Sequence, residues 1–528
     1  MTFVGGRSMP GRRLVFGALC GALLVAGCGS SATSGSVSGA ASASKSDVLH
    51  LAYFADMSTP DPDVFYDIEG LTVTMSAYDN LIRYKPDSHD YVGDLATKWT
   101  VSPDGLTYTF TLHAGVTFSD GTPCDSAAVA ASFKRRTAVN SAPAYMLQDV
   151  DHYETPDATT FIVKLKKPVL PFLDYLASSW GPKAISPTAL AANAGSDTGQ
   201  TYLATHSAGT GPFAITGFDR GRRYTLTRND HYFGTRPFFR EVDIDIIPDF
   251  STQEQKLSKG DLDVVLHAFP VSELDSAKSN SSLVEHDFDS FLMPIVYLNN
   301  SKPAIKDAAT RKALVDAMGL PDVVKQIYGR LGSLATGVYP TGILDSSAAP
   351  VTYTDSTSEV ASTPLKGGTL DFAYVADESG VQRRAAELIA QKAQRAGVTL
   401  TIREVQPAQA YDFVKDLAHA PDLLLATNTP DAAQPDTWAR ILWGTGGGLN
   451  FFGYSNSGVD AALDRGLRET SSSAATADYG EAGTLMVKDS VVYPFANIKD
   501  WMVMRSDLTG VAHIPNYAWY LDLGSLGR

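Results

Sequence analysis

Residues 369–405 read TLDFAYVADESGVQRRAAELIAQKAQRAGVTLTIREV. Thr369 to Val375 reads as a strand. Val381 to Ala396 carries its apolar residues at helical spacing and is ended by Gly397. Val398 to Val405 reads as a second strand. Strand, amphipathic helix and strand in succession make a βαβ unit, which calls for a parallel sheet. Asp422 to Ala426 follows as a short apolar strand, the pattern of a strand buried on both faces of such a sheet.

Working outward, the rhythm upstream is antiparallel. Tyr91 to Leu112 contains the hairpin signal Asp104-Gly105, after which Leu106, Tyr108, Phe110 and Leu112 alternate with Thr107, Thr109 and Thr111. One face is apolar and the other a threonine ladder, which predicts a half-buried antiparallel sheet. Val48 to Tyr53, Tyr224 to Arg228 and Val242 to Ile246 also read as strands. Asp125 is placed to cap a helix over Ser126 to Arg136, and Asp307 to cap one running through Met318. The expectation is an α/β chain of at least two lobes, without internal repeats.

The chain has 528 residues, 44% of them apolar and 19% charged, which is globular composition with room for two or three domains. Its net charge is −15, and Arg7, Arg12 and Arg13 stand in the acid-free first 27 residues, so the body is more acidic still. That field repels phosphate backbones, and no nucleic-acid partner is expected. No phosphate-loop, nucleophile-elbow or zinc spacing is present. Gly444 to Gly448 is followed by Leu449-Asn450-Phe451-Phe452 rather than a helix start, so it reads as a loop. Asp61, Asp63, Asp431 and Asp436 are the acids available for a hydrolase pair, against the commoner reading as solvated loop carboxylates. No catalytic residue, metal or cofactor is expected.

At the N-terminus, basic residues precede the apolar stretch Leu14 to Val25, too short to span a bilayer but suited to a signal peptide. Val25-Ala26-Gly27-Cys28 resembles the bacterial lipobox, which implies a leader over 1–27 and acyl chains, palmitate among them, on Cys28. Plain secretory cleavage near Ala26 is the alternative, and Arg12-Arg13 leaves Sec and twin-arginine export both open. Gly29 to Ser46 is almost entirely Gly, Ser and Ala, so 28–46 reads as a tether about 23 Å in root-mean-square span. With Cys20 in the leader and Cys28 lipidated, Cys124 has no partner and reads as a small buried residue.

Several segments then combine. Asp61-Pro62-Asp63 precedes Tyr78-Asp79-Asn80-Leu81; Leu95-Ala96-Thr97-Lys98-Trp99 precedes Asp104-Gly105-Leu106-Thr107-Tyr108-Thr109-Phe110. Gly209-Thr210-Gly211-Pro212-Phe213, Arg228-Asn229-Asp230-His231-Tyr232, Gly260-Asp261-Leu262-Asp263-Val264, Tyr297-Leu298-Asn299 and Gly453-Tyr454-Ser455-Asn456 follow in order. From about residue 48 to 528 this ordered set resembles the extracytoplasmic solute-binding proteins of ABC importers, family 5, the oligopeptide/dipeptide-binding lipoproteins. The chain departs from the pattern at Ala128, at Met318-Gly319-Leu320-Pro321, and over Leu344 to Gly368, which is Ser/Thr-rich and lacks the usual helix.

The resemblance implies a two-lobed periplasmic-binding-protein-like fold (type II, cluster C) with an extra subdomain. Lobe I would comprise 47–80, 209–302 and 501–528, the inserted subdomain 81–208, and lobe II 303–500. A hinge would close the lobes over a solute. It implies a monomeric receptor, lipid-anchored on the outer face of the cell membrane or in its periplasmic-space equivalent, that delivers peptides to an ABC transporter permease. Another solute (nickel chelate, haem, opine or sugar), a peptide-sensing receptor and a secreted hydrolase are the alternatives. Asp431 would meet the peptide α-ammonium, with backbone contacts at Thr427 and Thr429 and Asn428 beside them. Asn299, Ala55, Asp56 and Met57 are further cleft candidates. Trp438, Trp443, Tyr454 and Trp501 are read as core.

Overall fold

The apolar strands sort into two large sheets, each with its own core. The computed structural model describes residues 47–266, 270–356, 360–377 and 379–528. The leader, Cys20, the proposed lipidation site Cys28 and the tether lie outside the described residues.

Val48–Tyr53 is the centre of a seven-stranded sheet. It runs parallel to Glu241–Ile246 on one side and Val264–Leu266 on the other. Arg223–Arg228 and Phe213–Asp219 extend the first side, Asp500–Arg505 and Leu283–Phe288 the second. The second sheet has the order Thr399–Val405, Thr369–Val375, Leu423–Asn428, Met293–Leu298, Val492–Pro494. Its first three strands are parallel, as a βαβ unit requires. The helix between them, Val381–Arg395, turns Ala385, Ala386, Ile389 and Ala393 inward, all fully buried. Leu423, Leu424 and Leu425 are likewise fully buried, which explains an unbroken apolar run where a half-exposed strand would alternate.

One boundary differs from expectation. A division at 302 places Met293–Leu298 in lobe I, yet the strand lies in the second sheet, between Leu423–Asn428 and Val492–Pro494. The reason is legible in its composition: every residue from Met293 to Leu298 is buried, as suits an interior strand covered on both faces. The chain therefore crosses between the sheets at 289–292. It returns at 495–499, where Ala496–Ile498 pairs with Gly332–Leu334.

The inserted segment carries a four-stranded antiparallel sheet, Ala96–Val101, Thr107–Leu112, Thr160–Leu165 and Val150–Asp157 in that order. Gly105 turns the hairpin at φ +68°. Tyr108, Phe110, Leu112, Phe161 and Val163 form its buried face, with Phe133 of the helix Ser126–Val139 packed edge-on against Phe161. Asp125 caps that helix, accepting from the Ala128 amide at 2.9 Å; the helix runs three residues past the expected end, and Asn140 closes it in a left-handed conformation. Cys124, just before the cap, is buried, and burial pushes its thiol pKa up, which suppresses the reactive thiolate. Asp307 caps Ala308–Ala317 through the Thr310 amide. Between 344 and 368 the described residues hold two short 3-10 turns, Ser346–Ala348 and Val360–Ser362.

The helix Ser126–Val139 is bound to the loop after the first strand by four buried charges. Arg135 reaches Asp61 at 2.6 and 2.9 Å and Asp63 at 2.6 Å. Arg136, fully buried, donates to Asp63 at 2.9 Å and to the carbonyls of Pro62 and Trp180. Removing one partner of such a cluster strands a charge in low dielectric. Arg136→Ala is expected to lower stability by about 3–5 kcal/mol, read as a drop in the urea midpoint. A change under about 1 kcal/mol would show that the cluster is not what fastens this helix.

Candidate functional site

The strands Thr369–Val375 and Leu423–Asn428 direct their C-terminal ends at the first sheet, and a cavity of about 230 Å³ lies there. This is where open α/β sheets present ligand sites. Tyr66 and Trp180 line it from one side, Tyr411 and Phe451 from the other, with Trp501 and Trp519 beside them. Asp500 fixes the two tryptophan backbones, its Oδ1 accepting from the Trp501 amide and its Oδ2 from the Trp519 amide, each at 2.8 Å.

Asp431 sits at the meeting of the parts. Its Oδ2 accepts hydrogen bonds from the Tyr66 hydroxyl at 2.5 Å and the Tyr145 hydroxyl at 2.6 Å. Its backbone carbonyl accepts from Ser178 Oγ at 2.5 Å, and the neighbouring Ala433 amide donates to Tyr84 Oη at 3.0 Å. Four groups, Tyr66, Tyr84, Tyr145 and Ser178, thus hold two residues, Asp431 and Ala433. Asp431 is only 4% exposed, and burial pushes its carboxyl pKa up to about 6 while the two phenols pull against that shift. Burial, with Asp431 beside them, holds both phenols well above their ordinary range, so they stay protonated donors.

The strand leading to Asp431 has an uneven ladder. Its pairing with Met293–Leu298 runs on to Asn428, whereas its pairing with Thr369–Val375 ends at Leu425. Ala426, Thr427 and Asn428 therefore continue past the end of that ladder along the cavity wall. Asn428 Nδ2 donates to Tyr297 Oη at 2.9 Å.

Other polar atoms in the lining have no partner within the protein: Asp67 Oδ1, Tyr328 Oη, Gln382 Oε1 and Thr429 Oγ1. Buried polar atoms left unsatisfied are costly, so such a set marks a surface that meets something else. Asp67 is anchored by its Oδ2, which accepts from the Ser58 amide at 3.0 Å, and by its carbonyl, which accepts from Trp180 Nε1 at 2.9 Å. Burial pushes its carboxyl pKa up to about 6. Asp377, also in the lining, is occupied as the cap of Val381–Arg395, accepting from Ser379 Oγ and the amides of Val381 and Gln382. Among the described residues no three acids, histidines or cysteines converge to hold a metal ion.

Thr427, Asn428, Thr429 and Asp431 all line the cavity. Asn299 does not: it is fully buried, its Nδ2 donating to the carbonyls of Leu417 and Pro421 and its Oδ1 accepting from Ser301, so it ties a turn. Ala55, Asp56 and Met57 are also outside the lining. Asp56 faces the hairpin at Gly221, whose amide it accepts along with the Tyr224 hydroxyl, and Met57 is fully buried in the core. Trp438 and Trp443 are core, Trp438 Nε1 donating to the Val338 carbonyl, and the Tyr454 hydroxyl donates to Asp489. Trp501 is buried in the core as read and also borders the cavity. Tyr66, Asp67, Tyr145, Trp180, Tyr411 and Trp519 went unassigned in the sequence. The usable signal is the run Phe65-Tyr66-Asp67, one residue after Asp61-Pro62-Asp63.

Residues 90–450 match the family described as bacterial extracellular solute-binding proteins, family 5 (middle region). This chain belongs to that family. A relative described as the probable D,D-dipeptide-binding periplasmic protein DdpA of Escherichia coli (strain K12) is 29% identical over 91% of this chain and 94% of its own. Two solved structures share the fold. The dipeptide binding protein from Pseudoalteromonas sp. SM9913, in complex with Met-Leu, superposes with a TM-score of 0.81 at 19% identity, over 91% of this chain and 99% of that one. The periplasmic binding protein DppA from Helicobacter pylori, in complex with peptide STSA, gives 0.79 at 20% identity, over 91% and 97%. The fold is therefore the two-lobed α/β architecture of periplasmic binding proteins.

Asn299 lies outside the cavity lining. Asn299→Ala leaves two buried carbonyls without a donor and is expected to cost about 1–3 kcal/mol in urea denaturation. The emission of the cavity tryptophans Trp180, Trp501 and Trp519 should stay unchanged. A spectral shift without loss of stability would place Asn299 at the site after all.

Proposed function

We propose that this receptor captures short peptides by their free amino termini, closes its lobes over them and hands them chemically unaltered to an ABC importer permease. The observation that carries the reading is Asp431, a buried carboxylate at the C-terminal end of a parallel strand, with both phenol contacts on Oδ2. An α-ammonium beside it would be stabilised by a charge-assisted hydrogen bond worth about 1.5–3 kcal/mol. Ala426 to Asn428, past the end of their ladder, offer peptide groups to a cargo laid alongside as an extra strand. Aromatic walls supply apolar contact tolerant of side-chain identity. The names of the relatives, which bind dipeptides and peptides, agree with this.

The rest of the proposal concerns placement. Cys28 carries the acyl chains, 28–46 is the leash, and the body stands as a monomer on the outer face of the membrane. Lobe I is built from the first sheet, with 81–208 as its insertion. No substrate turnover accompanies binding.

Calorimetry with matched peptides tests the anchor. N-acetylation is expected to weaken binding by about 100-fold or more, and Asp431→Asn to do the same to the free peptide. Equal affinity for acetylated and free peptides would remove Asp431 from its role. The pH dependence has a definite sign. The cargo α-ammonium is charged below about pH 8, and binding draws on the ionised carboxylate. Affinity is therefore greatest near neutral pH, falls in acid as the Asp431 carboxyl takes up its proton, and falls above about pH 8 as the ammonium loses its own. The Asp431→Asn protein should show no such fall in acid.

A further inference from the structure

The charges in the cavity lining all have one sign. Asp67, Glu69, Asp377 and Asp431 line it, and among the described lining residues there is no lysine, arginine or histidine. Two arginines act on the lining from nearby but are turned to backbone: Arg220 donates to the Ser58 carbonyl and Arg384 to the Ser379 carbonyl. Asp377 is spent on its helix cap. Asp67 is different. Half-buried as a residue, it has one oxygen held by the Ser58 amide and the other, Oδ1, enclosed and without a hydrogen-bond partner.

A zwitterionic dipeptide brings a carboxylate within a few ångströms of its ammonium. In this cavity that carboxylate would find no cation and would sit among acids in a poorly hydrated space, where like charges repel strongly. We infer that the cargo is cationic inside the cavity, with its amino terminus on Asp431, a second positive group on Asp67, and no free carboxylate between them. This rests on the reading of Asp431 as the amino-terminal anchor. The ligand class is a basic or carboxyl-blocked small peptide. The unpartnered Tyr328 Oη and Thr429 Oγ1 remain as donors for its amide oxygens, and Gln382 Oε1 as an acceptor.

Six probes separate the two claims: alanyl-lysine amide, alanyl-norleucine amide and alanyl-norleucine free acid, each with a free and an acetylated amino terminus, titrated calorimetrically at pH 7.5. The expected order is lysine amide, then norleucine amide, then free acid, with about tenfold between neighbours. Acetylation should weaken all three. Asp67→Asn should erase the lysine advantage and keep the acetylation penalty; should that variant fold poorly, the wild-type series alone decides. A free acid that binds as tightly as its amide overturns the cationic-cargo inference and leaves Asp431 as the anchor. Indifference to acetylation overturns the anchor. Failure of all six to bind overturns both.

Discussion

Four buried charges at the base of the first lobe set the geometry of everything above them. Asp61 and Asp63 give up water to meet Arg135 and Arg136, and every group in the cluster has a hydrogen-bonded partner of opposite charge. Such a cluster contributes little net stability against an apolar equivalent, because desolvation offsets much of the attraction. Its contribution here is positional. Tyr66 follows Asp63 by three residues, and Tyr145 lies just beyond the helix that carries the two arginines. The cluster clamps both segments, and so it places both phenols on one oxygen of Asp431.

The second lobe arrives at the same atom by a different route. A strand buried on both faces cannot slide without turning leucines into water, so its end is fixed. Asp431 then stands three residues past that end. The acid of one lobe meets the hydroxyls of the other only when the lobes are together, which makes these hydrogen bonds a feature of the closed arrangement.

Much of this fold could be read from the chain. The βαβ period, the Asp104-Gly105 hairpin and the caps at Asp125 and Asp307 are local signals, and local physics determines them. The division at 302 went wrong because an apolar run such as Met293 to Leu298 shows that a strand is interior without showing in which sheet. The cavity was half legible. Asp431, with the threonines before it, follows from strand direction and family resemblance. Tyr66 with Asp67, Tyr145 and Trp519 come from three distant stretches and meet only through tertiary packing. Asn299 shows the converse: a polar residue at a strand end was assigned to a cleft when its valences were needed to tie a turn.

The raised pKa of Asp431 also bears on how the transport machinery avoids wasted effort. In an open clamp that carboxyl would be hydrated and titrate near 4; with the jaws shut it titrates near 6. At neutral pH, shutting on nothing therefore carries a desolvation cost at this one group, which an incoming cation offsets. The empty receptor is to that extent disfavoured from imitating the loaded one, and a pump that reads the shut form would spend fewer ATP molecules on idle turns.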